Sequence, residues 1–271
     1  MIVMNKTFGF IGTGNMGGAL ALALSKKVSP SDIFLSNRTR EKAEALASKI
    51  GAQVSDNASI AASCGYIVLG VKPQMMEETL EPLRAVLASR KDEFVLVTMA
   101  AALTCSTIQE FAGGDYPVIR MMPNTPVSVG EGVVMYCYTE NARAYAPYFA
   151  ESFAAAGLVD EISEEFIDAG CVITGCAPAY ADMFMEGMRD GAKAIGFPED
   201  KIVRYVEQML LGSAKLALET GEDPASLRVK VCSPGGSTIE GVKKLQELEF
   251  CRIIKEGALA SYKRTLEMKG K

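Results

Sequence analysis

The stretch "FGFIGTGNMGGAL" near the start of the chain narrows what the rest can fold into. Gly12, Gly14 and Gly17 stand in a Gly-x-Gly-x-x-Gly spacing, directly after a short strand-like run and directly before a helical pattern. In that context the first glycine allows a tight turn, the second lets the backbone approach a pyrophosphate, and the third lets helix and strand pack closely. The free N–H groups and positive dipole end of the helix then face the anion. An ordinary glycine turn is the competing reading of the spacing alone.

The first half of the chain has the pattern of repeated βαβ units. "TFGFIG", "DIFLSN", "YIVLGV", "EFVLVTMA" and "YPVIRMM" read as strands, and "NMGGALALALSKK", "TREKAEALASKI" and "MEETLEPLRAVL" as helices between them. The alternation predicts a parallel sheet covered on both faces. Near Ser163 the strand-like runs stop. "SEEFIDAGCVITG", "PAYADMFMEGMRDGAKAIG", "PEDKIVRYVEQMLLGSAKLALET", "DPASLRVKV" and a long C-terminal stretch all read as helices. Ser163 is expected as an N-cap, and Asp223-Pro224 as an N-cap followed by Pro at the first helical position. The expected fold class is therefore α/β, with a dinucleotide-binding domain over residues 1–162 and a helical domain over 163–271. A helical half this apolar is expected to pair with a second copy of itself.

The end of the second strand discriminates between cofactors. A carboxylate about twenty residues beyond the glycines would hold a ribose 2′-hydroxyl. Here the chain reads "LSNRTR", with Ser36, Asn37, Arg38, Thr39 and Arg40 and no acid. Hydroxyls, an amide and two guanidinium groups suit a 2′-phosphate. NADP(H) is expected, with NAD(H) as second choice; a solvated helix start is the other reading of the two arginines. Three further turns fall where strand C-termini meet a ligand in such folds: Gly70–Gln74, Thr98–Leu103 and Arg120–Pro126. Lys72 ends a buried strand with a cation, and that residue alone reads equally well as a solvated loop lysine.

Composition enters through what it excludes. The net charge is −5 with Lys and Arg dispersed, so no nucleic-acid partner is expected. No stretch reads as a signal peptide or a membrane span. The seven cysteines include no Cys-x-x-Cys pair and read as buried, reduced thiols in a cytoplasmic protein. There is no histidine, which rules out His-rich zinc sites and any histidine acid; no metal site is expected. A ketone reductase must protonate a developing alkoxide. A protonated imine accepts hydride and ends as a neutral amine, so a site of backbone donors and hydroxyls permits imine reduction without requiring it.

"VCSPGGSTIEG" at positions 231–241 interrupts the helical half. Gly costs about 1 kcal/mol and Pro about 3 kcal/mol in a helix interior, so Pro234, Gly235 and Gly236 mark a break. Ser233–Ser237 are expected to form a turn with both glycines free to take φ > 0. Thr238 is then expected to start a helix running through "IEGVKKLQELEF", whose first-turn N–H groups can bind an anion. A plain interhelical turn with Thr238 as N-cap is the alternative.

Taken in order, "FIGTGNMGGAL", "GVKPQ", "RMMPNTPVSVGEG", "EEFIDAGCVITGCAPAY" and "SPGGSTIEG" resemble the pyrroline-5-carboxylate reductase family over essentially the whole chain. The resemblance implies NAD(P)H-dependent reduction of 1-pyrroline-5-carboxylate to L-proline, the last step of proline synthesis. It also implies a Rossmann domain followed by a helical dimerisation domain, and homodimers that can assemble as five into a decamer. By motif it places the cofactor against Ile11, Gly12, Thr13, Gly14, Asn15 and Met16, then Ser36, Arg38 and Asn57. Gly70, Val71, Lys72, Pro73, Met99, Ala100 and Ala101 complete the set in the first domain, with Lys230 reaching in from the helical domain. Asn37 joins them from the residue reading above. The resemblance places the anionic cyclic imine near Glu164, Ser233 and the turn Gly235, Gly236, Ser237 and Thr238, with Thr238 orienting the imine. The chain departs from the family pattern at Ala102, where glycine is usual, at Cys176-Ala177 in place of Ser-Gly, and at Cys232. These changes bear on substrate affinity and on which cyclic imine is used. The competing readings are another NADP-linked reductase on the same plan, such as a β-hydroxyacid dehydrogenase, and a catalytically silent cofactor-sensing protein.

Overall fold

Strands β1 (Phe8–Ile11), β2 (Ile33–Ser36), β3 (Gln53–Val54), β4 (Tyr66–Leu69), β5 (Val95–Thr98), β6 (Val118–Pro123), β7 (Gly132–Tyr138) and β8 (Gly157–Glu161) form one sheet in the order β3-β2-β1-β4-β5-β6-β7-β8. The computed structural model describes residues 4–269. β1, β4, β5 and β6 are buried at every position, as strands covered on both faces must be. Pairing is parallel except between β6 and β7. The exception corrects an all-parallel expectation. Residues 124–131 are too few for a crossover, which needs a dozen or more, so β7 must return antiparallel beside β6. The longer connection from β7 to β8 carries a helix, and that pair is parallel.

Helices α1 (Asn15–Leu24), α2 (Arg40–Ile50), α3 (Asn57–Ser63), α4 (Met76–Leu80), α5 (Arg84–Ser89), α6 (Cys105–Ala112) and α7 (Ala146–Phe153) cover the sheet. Phe8, Phe10, Tyr66, Val68 and Val97 bury one face with Leu20, Leu24, Phe149 and Phe153. The alternate positions Ile11, Ile67, Leu69 and Leu96 bury the other with Ile60, Leu80, Leu87 and Ile108. The stretch read as one helix, "MEETLEPLRAVL", is α4 and α5 joined by a 3-10 turn over Glu81–Leu83, because Pro82 cannot donate to the ladder.

The helices continue as α8 (Glu164–Gly170), a π-turn over Cys171–Cys176, α9 (Ala177–Ala194), α10 (Glu199–Thr220), α11 (Pro224–Val231), α12 (Ser237–Glu247) and α13 (Phe250–Lys269). Ser163 has extended geometry ahead of α8 but makes no side-chain cap, contrary to expectation, whereas the Asp223 carboxylate accepts from the Ala225 N–H as expected. The last strand ends at Glu161. The chain packs as two units: one runs to Gly175 and takes in the residues from Tyr262 onward, the other is Cys176–Ser261. In the second unit α9 packs on α10, and the Tyr180 hydroxyl meets Ser261 Oγ at 2.5 Å on α13. Leu211, Leu216, Leu218, Val229, Val231 and Ile253 are all exposed there. Among the described residues no helix is long and apolar enough to cross a membrane.

Candidate active site

The sheet reverses its winding between β1 and β4, and ligands of such sheets bind outside the strand C-termini at that point. A cavity of about 530 Å³ lies there, lined by Gly14, Asn15, Met16, Gly17, Gly70, Val71, Lys72, Met99, Met122 and Pro123. Its floor is made of backbone. Gly12 turns the chain off β1 with φ +100°, and its N–H donates to the Ser36 carbonyl at 2.9 Å. A Cβ at Gly17 would stand 2.3 Å from the Gly12 carbonyl oxygen, and one at Gly70 would stand 2.2 Å from the same atom. Both must therefore be glycine for the turn to close. A Cβ at Gly14 would meet nothing within 4 Å and would instead fill the cavity. α1 starts behind Gly14 with no side-chain cap, so its first N–H groups remain for a ligand. The Thr13 hydroxyl is buried without a partner beside them. An orphaned hydroxyl, uncapped N–H groups and a cradle that a methyl would fill suit a dinucleotide pyrophosphate.

The side chains at the end of β2 fix this loop. Asn37 Oδ1 accepts from the Thr13 N–H at 3.2 Å, and its amide donates to the Thr39 carbonyl at 2.9 Å. Ser36 Oγ donates to Asn57 Oδ1 at 2.6 Å, so two residues 21 apart in sequence meet at the end of β2. The two arginines separate. Arg40 pairs with Glu44 one helical turn on, at 2.8 Å. Arg38 is exposed and makes no ion pair among the described residues.

At the opposite end, Lys72 is exposed on the cavity rim just before a 3-10 turn. The loop after β5 carries Met99, Ala100 and Ala101, with the Ala100 N–H bonded to Thr98 Oγ1 at 3.2 Å. Ala102 then takes φ +65°, a left-handed conformation that explains why glycine would be the easier residue there. Met122 and Pro123 line the cavity although the sequence marked them only as part of a turn. Arg120 of the same turn does not reach it. Arg120 is fully buried on the α8 face of β6 and donates to Asp168 Oδ1 at 2.7 Å.

Glu164 belongs to this α8 network. Its Oε1 accepts the Cys105 N–H at 2.7 Å and lies 3.5 Å from Arg120 Nη1. The Cys105 thiol is pushed above its ordinary pKa by a hydrogen bond with Cys137 and by burial.

The proline-glycine turn belongs to the second unit. Gly235 takes φ +71°, but Gly236 does not: it sits at φ −79° as the residue preceding α12. A Cβ at 236 would lie 2.5 Å from Ser233 Oγ and 3.2 Å from its carbonyl oxygen, so a larger residue would require the Ser233 side chain to turn away. α12 starts at Ser237, one residue earlier than expected, so Thr238 is its second residue and not the N-cap. No side chain caps this helix, and Thr238 is exposed. α12 also ends at Glu247, because Glu249 at φ +56° breaks the run expected to continue through Phe250. Lys230 pairs with Glu222 at 2.5 Å within this unit.

A family described as pyrroline-5-carboxylate reductase dimerisation matches residues 164–268, and one described as NADP oxidoreductase, coenzyme F420-dependent, matches residues 7–101. A pyrroline-5-carboxylate reductase of Escherichia coli is 37% identical over 253 residues, covering 91% of this chain and 92% of that protein. One of Pisum sativum is 32% identical, covering 97% and 96%. Among solved structures, a pyrroline-5-carboxylate reductase from Coxiella burnetii superimposes with a TM-score of 0.88 at 29% identity over 97% of this chain and 98% of that one. The Plasmodium falciparum pyrroline carboxylate reductase with NADP bound gives 0.84 at 26% over 98% and 99%.

Proposed function

This chain belongs to the pyrroline-5-carboxylate reductase family, and from that premise we propose how its own residues carry out the reaction. The enzyme reduces 1-pyrroline-5-carboxylate to L-proline, closing proline biosynthesis, with a nicotinamide cofactor. When bound, the cofactor supplies the hydride. The backbone from Ile11 to Met16, with Asn37 fixing Thr13, holds the pyrophosphate. Ser36, Arg38 and Asn57 take the adenosine end. Gly70–Pro73 and Met99–Ala101 flank the nicotinamide, and Lys230 supports the cofactor from the helical domain. NADPH is preferred over NADH because the ribose end offers Arg38 and no carboxylate.

The observation that carries the substrate reading is the uncapped start of α12. Three features converge on an anion there: Gly235 in the left-handed region, Gly236 without a Cβ, and free N–H groups at Ser237 and Thr238. They take the substrate carboxylate, together with Ser233, in a protein of net charge −5. Glu164 completes the site, and the Thr238 hydroxyl orients the ring nitrogen. Reducing a protonated imine leaves a neutral amine, which is why a site with no histidine suffices. Residues 163–271, which follow the Rossmann domain of 1–162 in sequence, form the substrate and dimerisation domain, and the exposed apolar residues of α10 and α11 meet a second copy. Dimers assemble further as five. Seven cysteines with no Cys-x-x-Cys pair suit a reducing compartment, the cytoplasm.

Thr238→Ala tests this. Thr238 is exposed and caps nothing, so the variant keeps wild-type stability within about 0.5 kcal/mol. NADPH affinity stays unchanged, and kcat/KM for the cyclic imine falls at least tenfold, about 1.4 kcal/mol in the transition state. Wild-type kcat/KM in a folded Thr238→Ala enzyme would remove the hydroxyl from the site.

A further inference from the structure

The geometry points to a metal-binding site on the α8 face of the sheet, which shares Glu164 with the substrate site proposed above: Cys105 Sγ, Cys137 Sγ and a Glu164 carboxylate oxygen form a three-ligand centre for a thiophilic divalent ion, zinc by chemistry. The three donor atoms all lie within 4.8 Å of one another. Cys105 is the first residue of α6, and Cys137 stands on β7 opposite Arg120 of β6. Sequence periodicity brings none of these three together; only the sheet does. Tetrahedral zinc holds sulfur at about 2.3 Å and oxygen at about 2.0–2.2 Å, which sets its ligands roughly 3.5–3.8 Å apart. The cluster therefore needs a contraction of at most about 1.3 Å, within the reach of small χ1 changes.

Two features beyond the ligand set support an ion here. First, there is a way in. A polar cavity of about 360 Å³ is lined by Cys137 and Glu164, with Glu140, Arg143 and Glu161 around it. Arg143 is taken up by Glu140 at 2.8 Å, and the Glu161 carboxylate, which among the described residues accepts only from the neutral Tyr138 hydroxyl, keeps a negative charge at the mouth. Second, the charge is partly offset. Two thiolates and one carboxylate around a divalent ion leave a net −1, and the Arg120 guanidinium, shared with Asp168, stands 3.5 Å from Glu164. Two thiolates among three ligands select zinc or cadmium over magnesium or calcium, which take oxygen. With three protein ligands the fourth position faces the cavity and is left to water. Binding is a plain exchange: one divalent ion enters, the two thiols become thiolates, and two protons leave to solvent. No electron moves.

The test uses the full-length enzyme, reduced with a phosphine and stripped with a chelator, then titrated with zinc or cadmium chloride. One ion per chain is expected, with two protons released per ion and a thiolate-to-cadmium charge-transfer band. Cys137→Ser and Cys105→Ser should each weaken binding at least tenfold, while Cys251→Ser should leave it unchanged. Absence of the band in wild type, or wild-type affinity in both serine variants, overturns the site. X-ray absorption on zinc-loaded wild-type protein keeps the test independent of how the variants fold. Two sulfurs at about 2.3 Å with an oxygen shell are expected. An oxygen-only shell, or three or more sulfurs, contradicts the assignment.

Discussion

Asp168→Ala is expected to cost about 3–5 kcal/mol of stability, because it leaves the Arg120 charge inside the sheet without its main partner. The side chains of Arg120 and Asp168 are 1% and 3% exposed, and their 2.7 Å bond joins the middle of β6 to α8. Glu164, part-exposed and at 3.5 Å, makes a longer contact with Arg120 that compensates only in part. Against a typical total of about 5–15 kcal/mol, the loss is a large share and should show as an early denaturant midpoint. The double variant Arg120→Met, Asp168→Leu separates pairing from packing. Replacing a buried ion pair by apolar groups of similar volume is often neutral or stabilising, so the double variant should recover wild-type stability or exceed it. A single Asp168→Ala protein within about 0.5 kcal/mol of wild type would mean that the pair holds nothing together.

Arg38→Ala is expected to separate the two nicotinamide cofactors. Losing a charged hydrogen bond to phosphate costs about 1.5–3 kcal/mol, which is roughly ten- to hundredfold in affinity. NADPH should weaken by that factor while NADH changes little, because only NADPH carries the 2′-phosphate. Arg38 is the residue substituted because it has no ion-pair partner among the described residues, whereas Arg40 is paired with Glu44. An equal rise in both Michaelis constants would show that Arg38 reads no phosphate.

The glycine turn between β1 and α1 was legible from sequence because its geometry is local. Gly12, Gly14 and Gly17 are set by one turn, and each reads directly as a turn angle, a close approach or a close packing. The proline-glycine turn was legible for the same reason, although the start of α12 depended on which residue preceded it, and that proved to be Gly236. The edge of the sheet was not legible. β3 has two residues, β8 is a half-exposed run ending in Asp160 and Glu161, and neither shows the apolar signature of an inner strand. β7 is apolar enough, but its direction depends on the length of the loop before it. The buried network was hidden for a different reason. Arg120 and Asp168 are 48 residues apart, and Cys105 meets Cys137 only because β7 returns beside β6. Pairings of that range carry no periodicity. "VIRMMP" did hold one signal: an arginine inside an otherwise apolar strand requires a buried acid elsewhere in the chain.

The most direct measurement mixes the purified chain with NADPH and 1-pyrroline-5-carboxylate, follows cofactor absorbance, and quantifies L-proline. One proline per NADPH consumed is expected, with no NADPH consumed when β-keto acids replace the cyclic imine. A folded enzyme that binds NADPH yet leaves it unoxidised in the presence of the imine would contradict the assignment.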